Sequence, residues 1–374
     1  MDPRVRDHAE TLVDWSARIQ PGDNVVVEVG EGAHDLAVAL GTVLGEVGAN
    51  LHVTYASGDV QTAYLGAHGG EFTESPAHQR AVYERADSVL TLVAPRNTSE
   101  GAAVPGDRRA RFRRAREDVR EAYLATDWVQ TVHPTPALAQ AAGMSTAAYA
   151  DFAYDAMLRD WERLAAEMGQ LKGVLDEGET VSIQKPPGPA GVATDLSLSI
   201  ADRVAVNSAA SVAYDSHNLP SGEVFTAPVV DSASGTVAFD LPNDLDGTTV
   251  RDAWLTLEGG EVVDWGADTG AAALTGVLET DAGARRLGEL GIGMNRGIDR
   301  PTGRTLFDEK MAGTVHLALG RAYEDCLPAG SAGNDSAVHQ DLITDMRGSG
   351  TRLLVDGEVI QRDGVFRWEA GFSG

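Results

Sequence analysis

PGDNVVVEVGEGAHDLAVALGTVLGEVGANLHVTY, residues 21–55, decides how the chain begins. NVVVEVG at 24–30 is a short, valine-rich apolar run, the pattern of a parallel strand buried on both faces. Over 34–47, Leu36, Ala39, Leu40, Val43 and Leu44 recur at helical spacing and form one apolar stripe. Gly48 stops that helix, and NLHVTY at 50–55 reads as the next strand. Outward from this unit lie a helix near 77–87, a strand SVLTLVA at 88–94 and another in DWVQTVHP at 127–134. Strands alternating with helices at this spacing predict a doubly wound, mostly parallel α/β domain with right-handed crossovers. A first helix precedes it over 5–19, ending at Pro21-Gly22. The Gly30 and Gly32 of GEGAHD do not complete a dinucleotide fingerprint, because Asp35 stands where the third glycine belongs. A tight strand-to-helix turn explains them better.

Residues 135–170 are helical in period and alanine-rich, and the character of the chain changes at Gly173. From 174 to about 265 short strand-like segments alternate with the turn clusters PPGPAG and PNDLDG. Helix is expected again over 267–290, with Asp281 as a cap, and two strands around Asp356-Gly357 close the chain. The expected division is therefore an α/β domain over 1–172 and a mixed α+β domain over 173–374, in keeping with 374 residues.

The net charge is -26, and only Lys172, Lys185 and Lys310 are lysines among 30 basic residues. A dispersed acidic, lysine-poor surface resembles proteins of salt-in halophiles, where salt screens self-repulsion. It also argues against nucleic acid, since no basic stripe runs along the chain. The densest basic run, RRARFRRAR at 108–116, reads as a solvated helix face. The chain lacks an eighteen-residue apolar run and a signal-peptide core, so no membrane association is expected. Its single cysteine, Cys326, fits a reducing cytoplasm.

Donor residues gather in LFDEKMAGTVHLALGRAYEDCLPAGSAGNDSAVHQD, 306–341. His316 and Tyr323 are seven apart and would share one face of a helix; His339 and Asp341 would point to one side of a strand. Two further carboxylates lie beside glycine: Glu223 after the Pro-Ser-Gly turn of HNLPSGEVFTAP, and Glu289 at a helix end before Gly291-Ile-Gly293. Each alone has a plain explanation: a solvated glutamate, or a hydrogen-bonded core histidine. The VHQD pair is harder to dismiss, because burying an imidazole and a carboxylate together needs something to neutralise them. A divalent cation would do so. Imidazole and carboxylate suit zinc, cobalt or manganese, and the missing H-E-x-x-H excludes the thermolysin pattern.

These segments together resemble the thermophilic-metalloprotease-type aminopeptidases, the family of aminopeptidases T and S. The likeness runs along most of the chain. It includes PGDNVVVEVG and HPTPALAQAAGMS at 133–145, and is densest in NLPSGEVFTAP, TDAGARRLGE, LFDE, GTVHLALGRAY and SAVHQD. The resemblance implies that Glu223, Glu289, His316, Tyr323, His339 and Asp341 surround two divalent metal ions (zinc, cobalt or manganese). It implies an aminopeptidase that hydrolyses N-terminal residues from peptides with water activated by the two ions, acting as a homodimer. Glu289, Glu309 and Tyr323 are then the candidates for parts in catalysis. Glu309, seven before His316, would share its helical face as a base or orienting group. One departure stands out: where the family commonly reads D-E-N, this chain has Asp308-Glu309-Lys310, and Lys310 is expected to alter the charge facing substrate. Two other readings compete. A mononuclear iron(II) ring-cleaving dioxygenase would use His316, His339 and Asp341 as a facial triad, leaving Glu223 and Glu289 without a task. A non-catalytic member would bind peptide or metal only.

Overall fold

The computed structural model describes residues 2–245 and 247–373. The chain divides into two compact units, Met1–Arg159 with Ala210–Pro220, and Asp160–Ala209 with Ser221–Gly374.

The first unit is built on strands β1 (Asn24–Gly30), β2 (Asn50–Ala56), β3 (Ser88–Val93) and β4 (Asp127–Val132). They form one parallel sheet in the order β2-β1-β3-β4, extended by the short strand Asn218–Leu219. Val25, Val26, Val27 and Val29 of β1 are buried, as the valine run predicts. The stripe Leu36, Ala39, Leu40, Val43, Leu44 is the buried face of the helix His34–Val47, which ends where Gly48 turns left-handed at φ 85°. A methyl group on Gly30 would meet Leu92 O at 2.5 Å, so the turn after β1 is close-packed. Residues 108–114 of the basic run lie in the helix Gly106–Arg114, none of whose residues is buried, while Ala115 just beyond it is buried.

The change of character at Gly173 is not a chain break. Gly173 lies inside the helix Trp161–Glu177, which Asp160 caps by accepting from Arg163 N at 3.1 Å. An interior glycine costs about 1 kcal/mol against alanine, too little to end a helix whose Leu164, Ala165, Met168, Leu171 and Leu175 are all buried. The second compact unit accordingly begins at Asp160 instead of 173, and the segment 210–220 returns to the first.

The second unit is mixed and largely antiparallel. An eight-stranded sheet contains Thr180–Lys185, Thr194–Ser199 and the C-terminal pair Arg352–Val355 and Glu358–Arg362. A separate five-stranded sheet holds the chemistry. Its strands are β5 (Val206–Ser208), β6 (Glu223–Thr226), β7 (Leu287–Gly293), β8 (Thr314–Gly320) and β9 (His339–Asp345), in the order β9-β8-β7-β6-β5.

Two expectations of helix fail here. Of 267–290 only Ala271–Leu278 is α-helical, and Asp281 caps a single 3-10 turn before β7 starts. In β7, Leu290 and Ile292 alternate with Glu289, Gly291 and Gly293, which is the period of a strand. Likewise TVHLALG is β8, so His316 and Tyr323 do not share a helical face; Tyr323 lies beyond the strand end. Glu309, at the end of the short helix Thr305–Asp308, shares no helix with His316 either.

Candidate metal centre

The register of the five-stranded sheet brings the donors to one face. Glu223 pairs with Gly293, Gly291 with His316, Glu289 and Asp341 each with Ala318, and His339 with Gly320. Directly opposed residues of an antiparallel pair point to the same side, so Glu223, Glu289, His316, His339 and Asp341 stand together. The positions between them are Gly291, Gly293, Ala318 and Gly320, which leave room for the long side chains. A methyl group on Gly291 would lie 2.0 Å from His316 Nε2, showing that the imidazole lies over that glycine.

The elements that carry the donors are held by local bonds. Gly222 has φ +116° and packs against Asn295, whose Nδ2 donates to Ser221 O at 2.8 Å; this aims Glu223 into the sheet. Asp281 accepts from Ser336 Oγ and Ala337 N, each at 2.8 Å, and so anchors the approach to β9. His339 Nδ1 lies 2.8 Å from Arg321 O, which leaves Nε2 toward the other donors.

Glu289 is the centre of the group. Its Oε1 lies 3.0 Å from His316 Nε2 and its Oε2 lies 3.4 Å from His339 Nε2. Glu223 Oε2 is 3.5 Å from His316 Nε2, and Asp341 Oδ1 is 3.7 Å from His339 Nε2. Two sets of three could therefore each hold an ion: Glu223, Glu289, His316, all buried, and Glu289, His339, Asp341, with Glu289 in both. Burial pushes the Glu289 carboxyl above its ordinary range, against the hydrogen bond from His316. Burial works to lower the His316 pKa, but its hydrogen bond to Glu289 and the charge of Glu223 overcome it and raise it to about 9. Glu223 Oε2, Glu289 Oε2 and His316 Nδ1 are buried without a hydrogen-bond partner among the described residues. Such a cluster of buried carboxylates and imidazoles needs cationic charge to be stable. The donors fit a divalent ion of zinc type.

Tyr323 is 44% exposed at the rim, its ring 4.6 Å from that of His339 and 5.8 Å from that of Phe225. Partial burial and the charges of Glu289 and Asp341 push its phenol upward. Cys326 is buried with Ala227 and Ala322, away from any ligand role. Lys310 lies beside the donors, and its burial is what sequence reasoning missed. It is 1% exposed, with its ammonium 3.2 Å from Glu223 Oε1 and paired with Glu309. No local pattern in D-E-K announces a buried lysine, because its partner Glu223 comes from a distant strand.

Oxygen and nitrogen donors gathered on one sheet face are the equipment of a metal-dependent enzyme. Over residues 1–366 the chain matches the family described as thermophilic metalloprotease (M29), and it belongs to that family. It is 29% identical over 398 residues to aminopeptidase 2 of Geobacillus stearothermophilus, covering 96% of this chain and 94% of that one. Its match to aminopeptidase T of Thermus aquaticus is 40% identical over 139 residues, and spans 33% of each chain. The solved wild-type AmpT from Thermus thermophilus superposes with a TM-score of 0.83 at 23% identity, over 98% of this chain and 99% of that one. That likeness shows the fold, an N-terminal parallel α/β part followed by antiparallel sheets. The ring-cleaving dioxygenase finds no support: the family is a metalloprotease family, and Glu223 and Glu289 are both buried among the donors.

Proposed function

We propose that this chain is a metal-dependent aminopeptidase that releases N-terminal residues from peptides at a two-ion centre. Its ligands are Glu223, Glu289, His316, Tyr323, His339 and Asp341. The observation that carries the reading is the pair of three-donor groups sharing one buried carboxylate, Glu289. When bound, such ions polarise the scissile carbonyl and make water acidic enough to attack near neutral pH. The chain's own residues do the rest. Glu289, between two imidazoles, holds both groups in register. Tyr323 stands at the rim against the His339 ring. Glu309, paired with Lys310, acts as an orienting group.

The deciding experiment compares leucyl and other aminoacyl amides with their N-acetylated forms, using protein stripped of metal and reloaded with zinc, cobalt or manganese. Release from free amines only, and only after loading, is expected. Equal cleavage of blocked substrates, or none of either, would sink the proposal.

A homodimer is supported by the edge strand β2, which exposes Leu51, Val53 and Tyr55; light scattering after gel filtration tests it. A cytoplasmic setting is supported by the single, buried thiol of Cys326. No helix among the described residues is long and apolar enough to cross a membrane. A high-salt habitat is supported by the charge of -26.

A further inference from the structure

The two three-donor groups are alike in type, each with two carboxylates and one imidazole. Their surroundings differ in one ion pair, that of Lys310 with Glu309. Lys310 places its ammonium 3.2 Å from Glu223 Oε1, while the only ion-pair partners of Glu289, His339 and Asp341 among the described residues are one another and His316. The loop that carries Lys310 is fixed. Asp308 accepts from Thr302 N, Thr302 Oγ1 and Gly303 N, and Lys310 O accepts from Asn295 N at 2.9 Å. A methyl group on Gly293 would lie 2.8 Å from the Lys310 carbonyl carbon, so this backbone packs directly on β7.

A buried ammonium must stay with its carboxylates, because leaving it unpaired is strongly unfavourable. Glu223 Oε1 shares that ammonium with Glu309. Its other oxygen, Oε2, has no hydrogen-bond partner among the described residues and lies toward His316. We propose that Lys310 is a positioning residue: it makes Glu223 a one-oxygen ligand and makes the Glu223–Glu289–His316 group the weaker of the two cation sites. The ammonium, which Glu309 offsets in part, opposes a cation there, whereas the Glu289–His339–Asp341 group has no such neighbour in its ion pairs among the described residues. This rests on the two-ion reading above.

Titration calorimetry of the metal-stripped full chain with zinc, with ions per chain counted by elemental analysis, tests it. The wild type is expected to bind two ions in steps at least tenfold apart. Glu223→Gln should remove the weaker step and keep the tighter one. Lys310→Met should tighten the weaker step at least tenfold, with circular dichroism melting to record that the fold persists. If that variant fails to fold, the Glu223→Gln arm decides. Loss of the tighter step in Glu223→Gln, or an unchanged separation in folded Lys310→Met, overturns the inference while two bound ions leave the two-ion reading standing. Uptake of one ion or none by the wild type overturns both.

Discussion

The His316 ring lies so close over Gly291 that a β-carbon there would sit 2.0 Å from Nε2 and 2.1 Å from Cε1. The glycine therefore shapes the donor group although it donates nothing. Gly291→Ala must displace the imidazole or the strand, and overpacking of this kind costs about 1–3 kcal/mol. We expect a lower unfolding free energy by that amount, and loss of ion uptake by the group containing His316. Denaturant titration and metal counting read both; a variant with wild-type metal content would show that the ring can be accommodated elsewhere.

The opening β-α-β unit was legible because one face of the helix His34–Val47 is apolar and β1 is a plain valine run. The metal-centre strands were not. TVHLALG is buried on both faces of β8, so its apolar residues hide the period of two, and glycines in LGELGIG resemble a helix end as much as a strand. The donor residues themselves could be found from their chemistry and from the family resemblance. Their convergence could not, since it depends on the pairing of β6, β7, β8 and β9 across long loops. Lys310 shows the same limit, because its burial is set by Glu223 and by the packing of its loop on Gly293.

Because Glu289 belongs to both donor groups, its loss should differ in kind from loss of Glu223 or Asp341. Glu289→Gln is expected to abolish uptake of both ions, whereas Asp341→Asn should retain one. Elemental analysis after dialysis checks this. Ion removal from the wild type should also lower its stability, by about 2.7 kcal/mol for each site at which free metal had stood at a hundred times the dissociation constant. A melting temperature unmoved by chelator would show that the cluster needs no cation.

Tyr323 combines a ring contact with His339 and a hydroxyl at the rim of the donor group. Tyr323→Phe preserves the ring and removes the hydroxyl. We expect an unchanged melting temperature and a 10–100-fold loss of turnover, the usual range for a group supporting a metal site. Full activity in the variant would remove the hydroxyl from the chemistry.

A charge of -26 implies self-repulsion that added salt should relieve. Screening is nearly complete at molar ionic strength, where the Debye length falls to about 3 Å. The melting temperature should rise between 0.1 M and 2 M potassium chloride, where these concentrations are on the order of low and molar ionic strength. Glutamate-to-glutamine changes at exposed positions such as Glu46 and Glu162 should reduce that rise. A melting temperature independent of salt would count against a high-salt habitat.

The first unit has an acid-sensitive point of its own at His8. The ring is fully buried, with Nε2 2.8 Å from Thr131 Oγ1 and Nδ1 lacking a hydrogen-bond partner among the described residues. Burial, and then the charge of His133, lower its pKa from 6.5 to about 3. The unfolded chain therefore binds a proton that the folded chain refuses between those two values. The resulting stability is complete above pH 6.5 and is lost as pH falls toward 3. Within that window the slope contributed by His8 is at most about 1.4 kcal/mol per pH unit. His8→Gln keeps a polar partner for Thr131 but has nothing to titrate. Denaturant titrations from pH 7 to about 4 should show wild type losing stability faster than this variant, by about 1 kcal/mol per unit. Parallel slopes would mean that the imidazole is protonated in the folded chain, or that water reaches it.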